Sequence, residues 1–515
     1  MRNDQDDPSA ESVGATNFAH LLWRAAHRFD QHPAMVERGH SVSFAAVGER
    51  AAGIASALVD AGVQPGDRVA VLLPRGETAA AAFFAALAAG AIGINLNEMY
   101  RPRQIEYVLT HARVRILLTS ADVVQSHPRP IETTTTIIDV GTLPETGRFT
   151  PVMVDASAPA QITYTSGSTG QPKGVVMSHS NLWAGVQIVA GYLGITATDR
   201  IASLLPFSFV YGFNQLTCSL LTGATLVIER STLSQEITAA LRRERVTVLA
   251  AVPPLWLQLL RTPAFRDAPQ DDLRVATNAG GRLPPASVQE LRRAQPQASL
   301  FLMYGLTEVF RSSFLPPAEV DAHPDSMGRP IPQSVIYVVR EDGTLCAPDE
   351  IGELVHGGPT VGIGYLDDPD GTARVFRPNP FRDMHPEAPA RVVYSGDLVR
   401  RDAEGRLYYV GRRDRMFKTL GYRVSPDEIA DVLYASGQVD EAVVLTEPDA
   451  QRGQRIVACV VLRDGGSLHA LRKHCGIELP RYMQPARYDI RTELPRNMSG
   501  KHDMLALRRD LTTAL

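Results

Sequence analysis

Residues 163–174 read TYTSGSTGQPKG, a run whose residue types could cradle phosphate. Three glycines (Gly167, Gly170, Gly174), five Ser/Thr hydroxyls and one lysine, Lys173, fall within these twelve positions. Glycines let consecutive backbone N–H groups turn toward one point, where phosphate oxygens are natural guests. Thr165, Ser166, Ser168 and Thr169 add hydroxyl donors, and Lys173 adds positive charge on a long stem. Ile162 leads into the run and Val175-Val176-Met177 follows it. The apolar flanks point to strand, flexible loop and strand rather than to a Ser/Gly linker. The run is not the GxxxxGK[ST] loop, because Lys173 follows Pro172 and no Ser/Thr-led helix comes next.

Six more stretches carry chemistry-bearing residues: PFSFVYG at 206–212, NAGG at 278–281, YGLTE at 304–308, YSGDL at 394–398, KTLGYR at 418–423 and LPRNMSGK at 494–501. Each alone has an ordinary reading as core rings, a Gly-Gly turn, a solvated glutamate or a surface lysine. Their order along the chain is more specific. Together with the Gly-rich run they resemble the motifs of the adenylate-forming superfamily, which holds acyl-CoA synthetases, luciferases and peptide-synthetase adenylation domains. The resemblance extends over nearly the whole chain.

The resemblance implies a role for each motif. Thr165, Ser166, Gly167, Ser168, Thr169, Gly170 and Lys173 would hold the phosphates of ATP. Tyr304 would stack on adenine, with Gly280 packed beside it. Thr307 would bond a phosphate oxygen and Glu308 would hold Mg²⁺, a hard cation that wants carboxylate and phosphate oxygens. Asp397 would accept both ribose hydroxyls, and Arg412 would reach the ribose or phosphate. Phe209, Val210, Asn278, Ala279, Gly281 and Phe310 would line the acyl pocket. Arg311 either meets a second polar group on the substrate or faces water. Asp414 matches the hinge of a mobile lid. Lys418 and Gly421 would present the face for thioester formation. Lys501 would bridge the substrate carboxylate and the α-phosphate. Two departures stand out. Val210 occupies the place where amino-acid-activating relatives carry an Asp, and a buried ammonium without counter-charge is costly, so the substrate leans away from an α-amino acid. Ser395 replaces a frequent Thr and keeps the hydroxyl.

These motifs need a large scaffold. At 515 residues the chain exceeds the size at which one core stops growing, so at least two domains are expected. Net charge is −4 with the two signs intermixed, which argues against non-specific nucleic-acid binding. The four cysteines are far apart, without metal spacing or disulfide density, as in a reducing cytosol. The acidic start MRNDQDDPSA is not a signal peptide. The most apolar run, 78–94, is shorter than a span of about 20 residues and reads as a buried helix entering a strand. The protein is expected to be cytoplasmic, without a membrane span, and a monomer or homodimer.

Hydrophobic periodicity alternates helix and strand through most of the chain. Helices are expected near 18–29, 44–59, 79–89, 103–110, 180–191, 211–221, 233–244 and 286–293. Strands are expected near 69–73, 92–96, 114–119, 137–140, 200–205, 225–228, 246–252, 273–277 and 299–303. Alternation of this kind means parallel α/β layers. From 327 to 410, short Gly-rich and β-branched segments indicate a more antiparallel β-rich subdomain. After 411, Ser425-Pro426-Asp427-Glu428 is a helix start, with Ser425 as cap and Ile429, Val432 and Leu433 on the buried face. Strands at 439–445 and 455–462 and a helix at 468–474 complete a small module. The expected organisation is a tail at 1–14, a multi-subdomain body at 15–410 with two α/β halves and the β-rich subdomain, a hinge at 411–414, and a small mobile C-terminal α+β domain at 415–515.

By resemblance the activity is AMP-forming ligation. A small-molecule carboxylic acid and ATP give an acyl-adenylate and pyrophosphate. The acyl group then passes to the thiol of CoA, or of the phosphopantetheine of a free carrier protein. An amine or other nucleophile is the alternative acceptor, and a non-catalytic nucleotide-binding protein of the same fold is the rival class.

Overall fold

The computed structural model describes residues 17–127, 129–165, 172–384, 388–413, 417–419, 422–449, 453–481, 483–497 and 500–513. The expected tail at 1–14 lies outside them. The chain divides into two compact units. The first holds the residues up to Arg230 together with Thr307–Arg311 and Gly357–Val393. The second holds Ser231–Leu306, Ser312–His356 and everything from Tyr394 onward.

In the first unit a seven-stranded sheet runs in the order Gly364–Tyr365, Lys173–Ser178, Pro159–Thr165, Ile92–Asn95, Arg68–Val71, Ile116–Thr119 and Thr136–Asp139. The strands from Pro159–Thr165 to Thr136–Asp139 are parallel, as helical crossovers require. Helix Glu77–Ala88 is one such crossover. Every residue from Ala79 to Ala88 is buried, because a helix apolar on all sides has no face to give to water. Pro159–Thr165 and Lys173–Ser178 form an antiparallel hairpin, the strand–loop–strand that the Gly-rich motif suggested. A second group in this unit pairs Pro33–Glu37 with His40–Ser43, with Thr225–Ile228, and through it with Arg200–Ser203. The Pro33–Glu37 strand has no counterpart in the periodicity, being only five residues with the three central ones buried and no alternation to mark it.

In the second unit Val248–Ala251, Val275–Asn278 and Ser299–Tyr304 lie parallel and in register. Their carboxyl ends therefore line up, with Asn278 opposite Ala251 on one side and Leu302 on the other. The first of these strands ends at Ala251, and Pro253-Pro254 opens the helix Pro253–Leu260, because proline suits the first helical turn. Antiparallel strands continue the layer through Ser313–Leu315, Ser326–Pro330, Leu407–Arg412 and Arg391–Arg401.

The last segment of the second unit is built on three strands, Val439–Asp449, Gly453–Leu462 and Arg487–Ile490. Alternate residues point to opposite faces. Val444, Ile456, Ala458 and Val460 pack against Ile429, Leu433 and Leu471 of the helices Pro426–Ala435 and Leu468–Glu478. Phe417 and Val424, from the hairpin Phe417–Thr419/Tyr422–Val424, join this face. Val443, Leu445, Val457 and Cys459 pack on the other face against Leu494, Leu507 and Leu511. Ser425 caps its helix as expected, accepting from the Asp427 N–H at 3.2 Å. Its hydroxyl also donates to the Val410 carbonyl at 2.7 Å. The four cysteines are free and buried. No helix of the described residues is long and apolar enough to cross a membrane.

Candidate active site

In the first unit the Gly-rich turn is framed by Thr165 opposite Lys173, the last pair of its hairpin. Ser166, Gly167, Ser168, Thr169 and Gly170 lie outside the described residues. The base of the turn is braced. Tyr107 donates its hydroxyl to the Pro172 carbonyl at 2.9 Å, and the Tyr164 hydroxyl meets His111 Nδ1 at 2.8 Å. Lys173 Nζ lies 3.6 Å from Asp368 Oδ2 and 5.1 Å from the centre of the Tyr365 ring. The Tyr365 hydroxyl in turn donates to Glu308 Oε1 at 2.8 Å. One aromatic side chain thus joins the two oppositely charged residues, its face toward the lysine and its hydroxyl toward the carboxylate. The Gly371 N–H, helped by the Lys173 charge and opposed by burial, holds the Asp368 carboxyl below its usual pKa. Thr307 and Glu308 belong to a single 3-10 turn, Thr307–Val309. Among the described residues no cluster of three or more His, Cys, Asp or Glu could hold a metal ion by itself. A lone carboxylate beside a lysine suits a magnesium ion that arrives with nucleotide phosphates and keeps most of its ligands there.

On the same unit Phe209 and Val210 open the helix Val210–Thr222, Phe209 as its N-cap residue. Phe310 and Arg311 follow the 3-10 turn. Phe310 is buried with φ of +59°, a left-handed backbone that bulky residues rarely adopt. The helix His179–Leu193 accommodates its ring at Gly185, where a Cβ would come within 2.6 Å of Phe310 Cδ1. Arg311 is also buried, with its guanidinium 5.1 Å from the centre of the Tyr211 ring.

In the second unit Tyr304 ends its parallel strand and donates its hydroxyl to Asp397 Oδ2. Arg412 Nη1 stands 3.4 Å from Asp397 Oδ1. Asp397 and Arg412 are directly paired across the antiparallel strands Arg391–Arg401 and Leu407–Arg412. The Asp397 N–H donates to Ser395 Oγ at 3.0 Å, and that hydroxyl donates to the Leu354 carbonyl at 2.7 Å. Serine therefore supplies the hydroxyl that orients the aspartate backbone. Burial first, then the Asp397 charge, raises the Tyr304 phenol well above its ordinary pKa, so it remains a donor.

Asn278 Nδ2 donates to the Gly281 carbonyl at 3.0 Å, closing the NAGG turn, and Gly280 takes φ of +80° in it. Asn278 Oδ1 is buried and makes no hydrogen bond among the described residues. The described residues 496–497 and 500–502 lie nearby. A Cβ on Gly500 would sit 4.0 Å from Val252, the residue after strand Val248–Ala251. The loop closes on itself through the Asn497 N–H to the Lys501 carbonyl at 2.7 Å and the Lys501 N–H to Asn497 Oδ1 at 3.0 Å. It is tied to the strand Val439–Asp449 by Glu441. Oε2 of Glu441 takes Arg496 Nη2 at 2.9 Å and His502 Nε2 at 3.1 Å. Oε1 faces Arg261 Nη1 at 3.6 Å. Burial opposes ionisation of Glu441, but His502, Arg496 and Arg261 outweigh it and lower its pKa.

A family model for AMP-binding enzymes matches residues 22–366, and the model of the C-terminal domain of AMP-binding enzymes matches residues 428–501. The chain belongs to the AMP-binding enzyme family. This is the adenylate-forming superfamily, closely related to acyl-CoA ligases. Novobiocin biosynthesis protein H of Streptomyces niveus is 31% identical over 97% of this chain and 83% of its own length. Bacitracin synthase 3 of Bacillus licheniformis is 31% identical over 95% of this chain, which spans only 8% of that protein. Among solved structures, the o-succinylbenzoate coenzyme A synthetase of Bacillus subtilis, in complex with ATP and magnesium ion, superposes with a TM-score of 0.83 at 27% identity, covering 96% of this chain and 99% of that one.

Within this AMP-binding fold the structure brings Lys173 and Glu308 together through Tyr365, and Tyr304, Asp397 and Arg412 around one carboxylate. Asn278, Ala279, Gly280 and Gly281 lie at the carboxyl end of their strand, where α/β sheets bind ligands. Lys418 is on the strand Phe417–Thr419. Gly421 and Asp414, the residue expected at the hinge, lie outside the described residues. Tyr365, Asp368 and Glu441 escaped the sequence reading. Tyr365 stands 57 positions from Glu308, and no local pattern marks a tyrosine as the partner of so distant a carboxylate.

Proposed function

We propose that the protein uses ATP to convert a carboxylic acid into an acyl-adenylate, releasing pyrophosphate, and then passes the acyl group to the thiol of CoA or of a carrier protein, releasing AMP. The observation that carries this reading is the Asp397 carboxylate, held between Tyr304 and Arg412, the last residues of their strands. A carboxylate there has the shape to accept a vicinal diol, and the Tyr304 ring beside it offers a flat partner for adenine.

In the first step an oxygen of the substrate carboxylate attacks the α-phosphorus, and the bond to the pyrophosphate oxygen breaks with its electron pair. Attacking and attacked groups are both anionic. Lys501 would lie between them, and Lys173, the Thr307 hydroxyl and the Gly-rich turn would hold the departing phosphates. Glu308, oriented by Tyr365, would hold the magnesium ion carried by ATP, which neutralises charge on the phosphates. In the second step the thiol sulfur attacks the acyl carbonyl, its proton leaves to solvent, and AMP departs. Lys418 and Gly421 belong to the face that would admit the thiol.

The relatives support both thiol acceptors: coenzyme A synthetases among the solved structures, and peptide synthetases among the sequence relatives. Transfer to an amine remains the second reading of the acceptor. The protein would act in the cytoplasm. ATP–pyrophosphate exchange over a panel of carboxylic acids tests the first step, and thioester formation with free CoA or an added carrier protein tests the second. Absence of exchange with every acid would refute the activation chemistry. Exchange without any thioester would refute the thiol acceptor alone.

A further inference from the structure

Arg311 is only 3% exposed, yet among the described residues no carboxylate is paired with it and its Nε makes no hydrogen bond. Its surroundings are the Tyr211 ring, Tyr192 and the Cys218 thiol. None of these supplies a counter-charge near neutrality. Burial raises the Tyr192 phenol and pushes the Cys218 thiol up to about 12, although Arg311 opposes both shifts. A guanidinium removed from water without an anion is a standing cost to the folded protein. The second observation lies on the helix Val210–Thr222. Tyr211, Gln215 and Cys218 share one face of it by their i, i+4 and i+7 spacing. Gln215 is 5% exposed, and neither its Oε1 nor its Nε2 finds a partner among the described residues. Polar groups so buried ordinarily have partners. The left-handed backbone of Phe310, held against Gly185, is what turns the chain inward just before the arginine.

We propose that Arg311 is the specificity-determining residue for a second carboxylate on the acid that is activated, so that the substrate is a dicarboxylic acid of which one end is adenylated and the other is held by the guanidinium, with Gln215 completing the polar end of the pocket. This rests on the proposed ATP-dependent activation. Planar, bidentate pairing with a carboxylate is what guanidinium geometry favours. No covalent step occurs at this end of the substrate.

The test is ATP–pyrophosphate exchange with dicarboxylic acids of several lengths and ring contents, each paired with an isostere whose second carboxylate is replaced by a primary amide or a methyl group. Wild-type protein should prefer a diacid over its isostere by on the order of 10²-fold in kcat/KM, the scale for leaving one buried charge unpaired. Arg311→Met should abolish that preference, chiefly through KM, and Arg311→Lys should restore part of it. Arg311→Met should also raise Tm in the absence of substrate, because it removes the unpaired buried charge; a purely structural arginine would lower Tm when lost. The wild-type comparison needs no variant to fold. Wild-type preference for the isosteres, or a diacid preference unchanged in Arg311→Met, would overturn the inference while leaving the activation chemistry intact. Failure of every acid to support exchange would instead overturn the activation chemistry, and this inference with it.

Discussion

The loop bearing Lys501 owes its position to Glu441, and Glu441→Gln isolates that dependence. The carboxylate Oε2 receives both Arg496 at 2.9 Å and His502 at 3.1 Å, while Oε1 faces Arg261 at 3.6 Å. Glutamine preserves volume but brings one NH₂ group. Turned either way, that group meets a cation: Arg261 on one side, or Arg496 with His502 on the other. A hydrogen bond to a charged group contributes roughly 1.5–3 kcal/mol and a neutral one roughly 0.5–1.5, so each of the two short contacts weakens by about 1 kcal/mol. The loop should lose about 2 kcal/mol of its hold, which corresponds to a fall of up to about 30-fold in the population holding Lys501 in place. Adenylation should slow by that factor. Transfer from a supplied acyl-adenylate to the thiol should not, because the role proposed for Lys501 ends once the adenylate has formed. The assay is pyrophosphate exchange beside single-turnover transfer from synthetic acyl-adenylate, with Tm recorded for both proteins. Exchange within twofold of wild type, or equal loss of both half-reactions at unchanged Tm, would refute the assignment.

Lys501→Ala should eliminate adenylate formation and spare transfer from supplied acyl-adenylate, whereas Gly421→Leu should do the reverse; the same pair of half-reaction assays reads both. Tyr365→Phe removes the hydroxyl that reaches Glu308 at 2.8 Å but keeps the ring beside Lys173. Exchange should fall roughly tenfold or more, with higher magnesium needed, as measured by magnesium titration at fixed ATP. Burial lowers the pKa of His179 to about 4 and that of His356 to about 3. His179 Nδ1 accepts the Phe18 N–H at 2.9 Å and must be unprotonated to do so. The folded state disfavours the charged form, so the contribution is intact above the unfolded value of about 6.5 and is lost as pH falls toward 4; for His179 the loss is about 3 kcal/mol. Tm measured from pH 7 to pH 4 should drop, and less so in His179→Gln.

The strand–turn–strand around Lys173 was legible because apolar runs bracket a glycine-rich core, a contrast that survives in one dimension. The buried helix Glu77–Ala88 was legible for the same reason. Pro33–Glu37 and Arg487–Ile490 were not. They are five and four residues long, and their pairing with distant strands defines them more than their composition does. Helix Met504–Thr513 buries Leu507 and Leu511 on a face too narrow to stand out among its charges. The motif residues could be named from their types and order. What they lean on could not: Tyr365, Asp368 and Glu441 act across long separations, and only the fold sets such neighbours side by side. For Arg311 the choice between substrate and water turned on burial, which a single arginine in a polar stretch does not reveal.

The three-stranded plate near the end of the chain bears on how turnover is ordered. Phe417 and Val424 root the hairpin of Lys418 on one side of it, and Leu494 and Leu507 root the flanks of Lys501 on its back. Under the proposed function the two lysines would work like the blades of a double-headed tool, engaging one end withdrawing the other. A covalent staple fixing that plate to the rest of the protein would turn a catalyst into a single-use reagent, delivering at most one equivalent of whichever product its frozen side can make.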